Sequence, residues 1–198
     1  MLDWIKNINK EYPEFWKTYL SKFEKKSKRY VVLSTETTGL NITKDVIISI
    51  AAFAVVDNSI FIEDNFEKIV LQYKYFHENK LTNEFTIESK MEKLGESEAI
   101  QKLIDYLGNA IIVGYHVDFE VEMINAALEK LGCGRLKNEA LDIEIMYQKL
   151  QEVTDKSFTL KELVDAFKIP VRDRISAADD AYTIALLFLK LKSRLKIA

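Results

Sequence analysis

Apolar and polar residues follow two distinct periods along the chain, and the two periods separate predicted strands from predicted helices. Short runs of apolar and β-branched residues predict strands at 29–33, 45–56, 59–73 and 110–114. Apolar residues three and four positions apart predict helices at 96–107, 118–131, 140–150, 160–167 and 176–192. Three consecutive strands, followed by helices and one further strand, predict an α/β fold with a mixed sheet flanked by helices.

The first 28 residues have a helical pattern of their own. Phe15, Tyr19 and Phe23 recur at four-residue spacing, and Pro13 suits the first turn of a helix. The region is also basic, because residues 1–29 hold eight Lys or Arg against four Asp or Glu. We interpret it as an amphipathic helix packed on its own domain. The alternative is a basic, aromatic arm that contacts nucleic acid or a partner protein.

Length and composition indicate one main domain at 29–198, preceded by a helical extension at 1–28. Apolar residues make up 48% of the 198, enough for a substantial core, and the net charge of −3 gives no sign of a general nucleic-acid-binding surface. Cys133 is the only cysteine, which excludes an internal disulfide and fits a reducing compartment. No apolar run approaches the ~20 residues that span a bilayer, and the start lacks signal-peptide features. We therefore expect a cytoplasmic protein that makes no membrane contact.

Acidic residues lie at the ends of several predicted elements, where a sheet and its helices could bring them together. Glu36 ends the first strand, and the acidic residues that open later helices are Asp118, Glu120, Asp142, Asp179 and Asp180. Clustered carboxylates are the hard oxygen ligands that Mg²⁺ and Mn²⁺ prefer. Two such ions stabilise the attacking and leaving oxygens when a phosphodiester is cleaved.

Three motifs carry a resemblance to a known family. Residues 31–40 read VVLSTETTGL and lead into an apolar strand at 45–50, residues 113–120 read VGYHVDFE, and residues 175–181 read ISAADDA. In this order they resemble the histidine branch of the DEDD 3′–5′ exonucleases. This DnaQ-like family includes the epsilon proofreading subunit of DNA polymerase III and RNase T. The resemblance covers about residues 29–194 and implies an RNase H-like fold with a mixed, five-stranded sheet.

The resemblance implies a role for each residue that matches a motif. Glu36, Glu120 and Asp180 would bind Mg²⁺ or Mn²⁺, with Glu120 one methylene longer than the Asp usual there. The residues implied to contact the substrate are Thr37, Thr38, Gly39, Leu40 and Phe119. The implied reaction is two-metal hydrolysis at the 3′ end of single-stranded DNA or RNA. A DNA polymerase or a repair protein is the implied partner.

Two residues depart from the family pattern at positions that carry the chemistry. Ser34 stands where the family has the Asp that bridges both metal ions, and Ile175 stands where it has the His that acts as general base. A neutral hydroxyl is a poor substitute for that carboxylate, and Ile175 cannot accept a proton. General-base assistance typically contributes about 10²–10⁴-fold to the rate. His116, at the family's Asn position, is a candidate substitute base.

Several of the acidic residues also have a purely structural interpretation. Asp179 is suited to be the capping-box partner of Ser176, and Asp142 could simply start a helix or match the family's intermediate aspartate. Glu120 could interact only with a helix dipole, and Asp118 could be an N-cap or a further ligand.

Two hypotheses on function follow from these residues. In the first, the chain is a 3′–5′ exonuclease with a divergent, weakened site, which makes it a pseudoenzyme candidate. In the second, it is a non-catalytic module that binds nucleic acid or docks on a polymerase. The retained Glu36, Glu120 and Asp180 favour the first, and the loss of both family residues at Ser34 and Ile175 favours the second.

Overall fold

The computed structural model describes residues 11–72, 91–170 and 176–197, and within them it confirms the α/β class. The strands are β1 (Tyr30–Thr37), β2 (Ile47–Val56), β3 (Ser59–Leu71), β4 (Lys93–Gly95), β5 (Ile111–Gly114) and β6 (Ala140–Asp142). The helices are α1 (Glu14–Ser21), α2 (Glu96–Leu107), α3 (Val117–Lys130), α4 (Ile143–Gln151), α5 (Leu160–Phe167) and α6 (Ala177–Leu195). A short 3₁₀ turn, Lys22–Glu24, follows α1.

The strands form a single mixed sheet in the order β4-β3-β2-β1-β5-β6. β1, β2 and β3 make the predicted antiparallel meander, while β5 lies parallel to β1 and β6 parallel to β5. The described residues therefore contain six strands, one more than the five expected. β4 and β6 are three residues each, too short for any hydrophobic period to be read from the sequence.

Alternate residues of β1 face different helices, which decides where the site residues lie. Val31 and Leu33 pack in one core with α2 and α3, whereas Tyr30 and Val32 pack in another with α4, α5 and α6. Because side chains alternate across a strand, Ser34 belongs to the α6 face and Thr35 to the α3 face.

Helix α1 is part of the core. Pro13 is its N-cap, and Trp16 and Tyr19 are fully buried against the cluster that includes α2 and α3. The Tyr19 hydroxyl donates to Asn138 Oδ1 at 2.7 Å and accepts from the Lys137 backbone N–H at 2.8 Å. Burial raises the pKa of Tyr19 to about 12, although the backbone hydrogen bonds with Lys137 and Asn138 lower it. The interpretation of a helix packed on its own domain is confirmed for α1.

The turns also follow local chemistry. The β2–β3 hairpin turns at Asp57 and Asn58, both with positive φ (47° and 65°), as a two-residue hairpin turn requires. Predicted helix ends hold within a few residues, except that the predicted helix at 140–150 begins as β6. No helix in the described ranges is both long and apolar enough to cross a membrane.

Candidate active site at the carboxyl edge of the sheet

The carboxyl ends of three parallel strands define one edge of the sheet. β1, β5 and β6 end there, and α3 and α4 begin there. The start of α6 covers the neighbouring part of the sheet, where Ala177 and Ala181 pack against Ala51 of β2. This arrangement brings the end of β1, the start of α3 and the start of α6 to one part of the molecule.

At the end of β1, the two motif positions are held within the sheet. Ser34 is buried and lies opposite Ala51. Glu36 is half-buried and lies opposite Ser49, whose hydroxyl donates to Glu36 Oε2 at 2.7 Å. One oxygen of the Glu36 carboxylate is therefore committed to the adjacent strand.

Glu120, in the first turn of α3, turns into the protein. It is buried, and its Oε2 accepts a hydrogen bond from the hydroxyl of Thr35, on the opposite face of β1 from Ser34. Burial raises the pKa of Glu120 to about 7; hydrogen bonds from Thr35 lower it and the charge of Asp180 raises it further. Near neutral pH this carboxyl is therefore only partly ionised.

The two aspartates at the start of α6 differ in role. Asp179 forms the predicted capping box: its carboxylate accepts from the Ser176 hydroxyl at 2.9 Å, and its N–H donates to Ser176 Oγ at 3.2 Å. The pKa of Glu67 on β3 is raised mainly by burial, and the charge of Asp179 raises it further. Asp180 is half-buried and influences Glu120 electrostatically. Ile175 lies outside the described residues.

On the other side of β5, a second group of polar residues forms a connected network. His116 is the N-cap of α3 with positive φ, and its Nε2 is 2.9 Å from Oε2 of the buried Glu144. Glu144 Oε1 accepts from the Ser157 hydroxyl at 2.7 Å and from the Phe158 N–H at 2.8 Å. The candidate substitute base is thus engaged with Glu144 through one ring nitrogen. Its role as a base stays a prediction.

Asp142 is the N-cap of α4, and its carboxylate accepts hydrogen bonds at the starts of two helices. Its Oδ1 accepts from the Glu144 N–H at 2.7 Å at the start of α4, and its Oδ2 accepts from the Val117 N–H at 2.9 Å at the start of α3. Asp118 is not the N-cap of α3; it is exposed in the first turn of that helix.

The loop after β1 carries the residues expected to contact the substrate. The Thr37 hydroxyl donates to the Gly39 carbonyl at 2.8 Å, and the Thr38 hydroxyl donates to Asp45 Oδ1 at 2.8 Å. Leu40 is 83% exposed, whereas Phe119, on α3, is partly buried against the core. Asp45 was expected to begin the second strand, but β2 starts at Ile47.

The expected metal ligands do not fit a divalent ion as they stand. Within residues 11–72, 91–170 and 176–197, no three His, Cys, Asp or Glu side chains are grouped so that they could hold one. Glu36 is bonded to Ser49, Glu120 to Thr35, and Ser34 offers no charge. A hard cation needs several oxygen ligands converging on one point, and the described residues of this edge do not group three such side chains in that way.

The fold and the motif order at this edge agree with a match to a known family. The RNase_T family model, described as exonuclease, matches residues 31–188. The chain belongs to the RNase_T exonuclease family. The DnaQ-like resemblance carried by the three motifs is thereby confirmed.

Two relatives that this chain matches are much larger proteins. The PolC-type DNA polymerase III of Caldanaerobacter subterraneus subsp. tengcongensis is 29% identical over 173 residues, covering 84% of this chain and 12% of the relative. The 3′-5′ exonuclease DinG of Staphylococcus haemolyticus is 29% identical over 164 residues, covering 81% of this chain and 18% of the relative. The chain therefore spans under a fifth of the length of either relative.

The solved structure of exonuclease I shares the fold. It superposes with a TM-score of 0.68 at 15% sequence identity, over 86% of this chain and 42% of that one. The RNase H-like exonuclease architecture expected from the motifs is confirmed.

Four residues that shape this candidate site were not anticipated as site residues. Ser49 and Thr35 hold the two glutamates, Glu144 holds His116, and Asp45 holds the loop after β1. Thr35 lies inside the first motif, between Ser34 and the glutamate, and that position was the one available signal. The other three act through contacts that only the folded chain creates.

Proposed function

We propose that this chain is a DnaQ-like exonuclease domain that binds single-stranded nucleic-acid 3′ ends at the carboxyl edge of its sheet. We further propose that it hydrolyses them far more slowly than a member with the complete acidic set and the histidine base. The observation that carries the proposal is the combination of Glu120 buried against Thr35 with the neutral Ser34 one position away on the other face of β1. The family fold with an intact Thr37–Leu40 loop supports the binding function.

Binding requires a surface at the sheet edge that can contact a nucleotide. The loop after β1 presents the exposed Leu40, and an apolar side chain there can pack on the face of a base. The E. coli exonuclease I relative was crystallised with a dT13 oligonucleotide, which suggests the class of ligand. The similarity to PolC-type polymerases also makes a replicative polymerase a candidate partner.

Hydrolysis requires charge at the scissile phosphate and a proton acceptor. Exonucleases of this family use divalent metal ions, and a zinc-bound form of the E. coli exonuclease I complex with single-stranded DNA has been solved. In this chain Glu36 and Glu120 are each bonded to a protein hydroxyl, and the position of the family's histidine base is Ile175. These residues support orientation of a 3′ end better than attack upon it.

The test measures binding and hydrolysis separately on the same protein. Anisotropy of a 5′-labelled dT13 in EDTA reports binding, and shortening of the same labelled oligonucleotide in Mn²⁺ reports release of nucleotides from its 3′ end. We expect tighter binding of a 3′-hydroxyl than of a 3′-phosphate oligonucleotide, with affinity falling as salt rises. We expect nucleotide release to be barely above that of Glu36→Ala.

Two results would contradict the proposal in different ways. Rapid nucleotide release that Glu36→Ala abolishes would show a competent enzyme. Absence of any binding that depends on the 3′ end would show that the edge has another function.

A further inference from the structure

A single carboxylate closes the loop between β1 and β2. Asp45 Oδ1 accepts from the Thr38 hydroxyl at 2.8 Å, and Asp45 Oδ2 accepts from the Asn41 backbone N–H at 2.8 Å. The Thr38 hydroxyl oxygen in turn accepts from the Val46 N–H at 3.1 Å. Asp45 therefore connects both ends of the segment 38–41 to the start of β2.

Gly39 lies directly against this carboxylate. A Cβ added at Gly39 would stand 2.6 Å from Asp45 Oδ2 and 2.9 Å from its Cγ, closer than non-bonded atoms tolerate. The loop can thus wrap around Asp45 only because position 39 has no side chain. Because of this close approach, the effect of a substitution at one of the two residues depends on the other residue, and a double-mutant cycle can measure that dependence.

The consequence for the loop is a fixed tip. Leu40, between Gly39 and Asn41, is 83% exposed. An exposed apolar side chain that is already held in position costs less conformational entropy when a ligand covers it.

We propose that Asp45 is a positioning residue that holds segment 38–41 in the conformation that presents Leu40 to the terminal nucleotide of a bound 3′ end. The proposal rests on the proposed function, because it takes this edge as the binding site for 3′ ends. Without Asp45 the loop samples other conformations, and the apparent Kd rises in inverse proportion to the closed fraction.

The first test compares Asp45→Ala with a matched control. Asp165→Ala removes the same charge from an exposed position on α5. Kd values are measured by anisotropy for dT13 with a 3′ hydroxyl and with a 3′ phosphate. We expect Asp45→Ala to weaken binding of the 3′-hydroxyl form about tenfold and to bring the ratio of the two Kd values towards one. Asp165→Ala leaves both values unchanged.

The ratio separates positioning from a general loss of stability. A variant that is partly unfolded has fewer competent molecules, but those molecules keep the same preference for the 3′ hydroxyl. A wild-type ratio in Asp45→Ala, or an equal change in Asp165→Ala, would overturn the proposal.

The second test uses the contact between Gly39 and Asp45. We expect Gly39→Ala to weaken 3′-end binding in the wild-type background and to have little further effect in the Asp45→Ala background. Thr38→Val, which removes the hydroxyl that donates to Asp45 Oδ1, should resemble Asp45→Ala. Additive effects of Gly39→Ala and Asp45→Ala would contradict a shared mechanism.

The two proposals fail in distinguishable ways. If the wild-type protein shows no 3′-end-dependent binding, the proposed function fails and this proposal falls with it. If the wild type binds 3′ ends but Asp45→Ala binds like Asp165→Ala, only the positioning role is wrong.

Discussion

Glu120 and Glu144 are the same residue type and each exposes little surface (8% and 7%), yet their pKa shifts are opposite, because the Glu120 carboxyl is the more deeply desolvated and accepts fewer hydrogen bonds. Burial acts to raise the pKa of both. For Glu144 it is outweighed by hydrogen bonds from Ser157, Phe158 and His116, so the pKa is lowered. For Glu120 the hydrogen bonds come from Thr35 alone, and the charge of Asp180 acts in the opposite direction.

The difference shows what each side of the sheet edge is built to do. On the β6 side, convergent donors hold the charged Glu144 carboxylate, which contacts His116 at the start of α3 and the Phe158 N–H before α5. The neighbouring Asp142 carboxylate accepts from the N–H groups at the starts of α3 and α4. On the β1 side, where the family has its catalytic residues, a buried carboxyl has too few donors to stay fully ionised. The charged network supports structure, whereas Glu120, on the side where the motifs place the proposed site, has fewer hydrogen bonds to compensate for its burial.

The largest expected effect comes from restoring the family residues on the β1 side. The double variant Ser34→Asp with Ile175→His supplies the missing carboxylate and the missing base. We expect Mn²⁺-dependent nucleotide release to rise about 10²–10⁴-fold, the range that general-base assistance contributes. Ser34→Asn with Ile175→His is the control without the charge. Release that stays at the wild-type level would show that this edge has lost more than two side chains.

The next effect concerns the titration of Glu120. Its folded pKa is about 7, above the ordinary value of 4.5, so the folded state holds this proton more tightly than the unfolded state. Stability is therefore lost as pH rises from about 4.5 to 7, by up to about 3 kcal/mol. Glu120→Gln cannot ionise, and should be more stable than wild type at pH 8 but not at pH 4.5. Urea denaturation at both pH values measures this; a parallel pH dependence of the two proteins would contradict it.

Glu144 should show the opposite pH dependence. Because its folded pKa is lowered, its contribution is present above the ordinary carboxyl pKa and is lost as pH falls through the folded value. We expect Glu144→Gln to destabilise the protein by about 1–2 kcal/mol at pH 7, since charge-assisted hydrogen bonds become neutral ones. The deficit should shrink in acid. A deficit that does not change with pH would mean that shape, rather than charge, is what the glutamate supplies.

The smallest effect tests how many donors keep Glu144 charged. Ser157→Ala removes one donor and leaves the Phe158 N–H on the same oxygen. We expect a loss of about 0.5–1 kcal/mol and a higher pKa for Glu144, measured by NMR titration of its carboxyl carbon. An unchanged pKa would assign the shift to the remaining donors.

Much of the fold follows from sequence periodicity. The predicted helices at 96–107 and 160–167 match α2 and α5, and the capping box at Ser176 is present. The three-residue strands β4 and β6 were missed because three residues are too few for an alternating pattern to be recognised. The second strand was predicted to begin at Asp45 but begins at Ile47. The Asp45 side chain accepts hydrogen bonds from the preceding loop, and the pattern of apolar and polar residues does not indicate such contacts.

The sequence predicted the position of the candidate site better than it predicted the contacts made there. The motifs place Glu36, Glu120 and Asp180 at one region, and the strand ends and helix starts bring them there. Which hydroxyl each carboxylate accepts depends on strand register and on the face that each residue occupies. Thr35 and Glu120 are 85 residues apart in sequence, so no local pattern could pair them.

Because of helix α1, the part of the chain that folds as one unit is longer than the part that matches the family. The family match begins at residue 31, yet Trp16 and Tyr19 lie inside the core. The Tyr19 hydroxyl donates a hydrogen bond to Asn138 and accepts one from the Lys137 N–H. A fragment cut where the homology starts would open a hole beneath α2 and α3 and leave these polar groups without their partner. Fusions, domain exchanges and shortened variants of this protein therefore need α1 as an inseparable part of the nuclease fold.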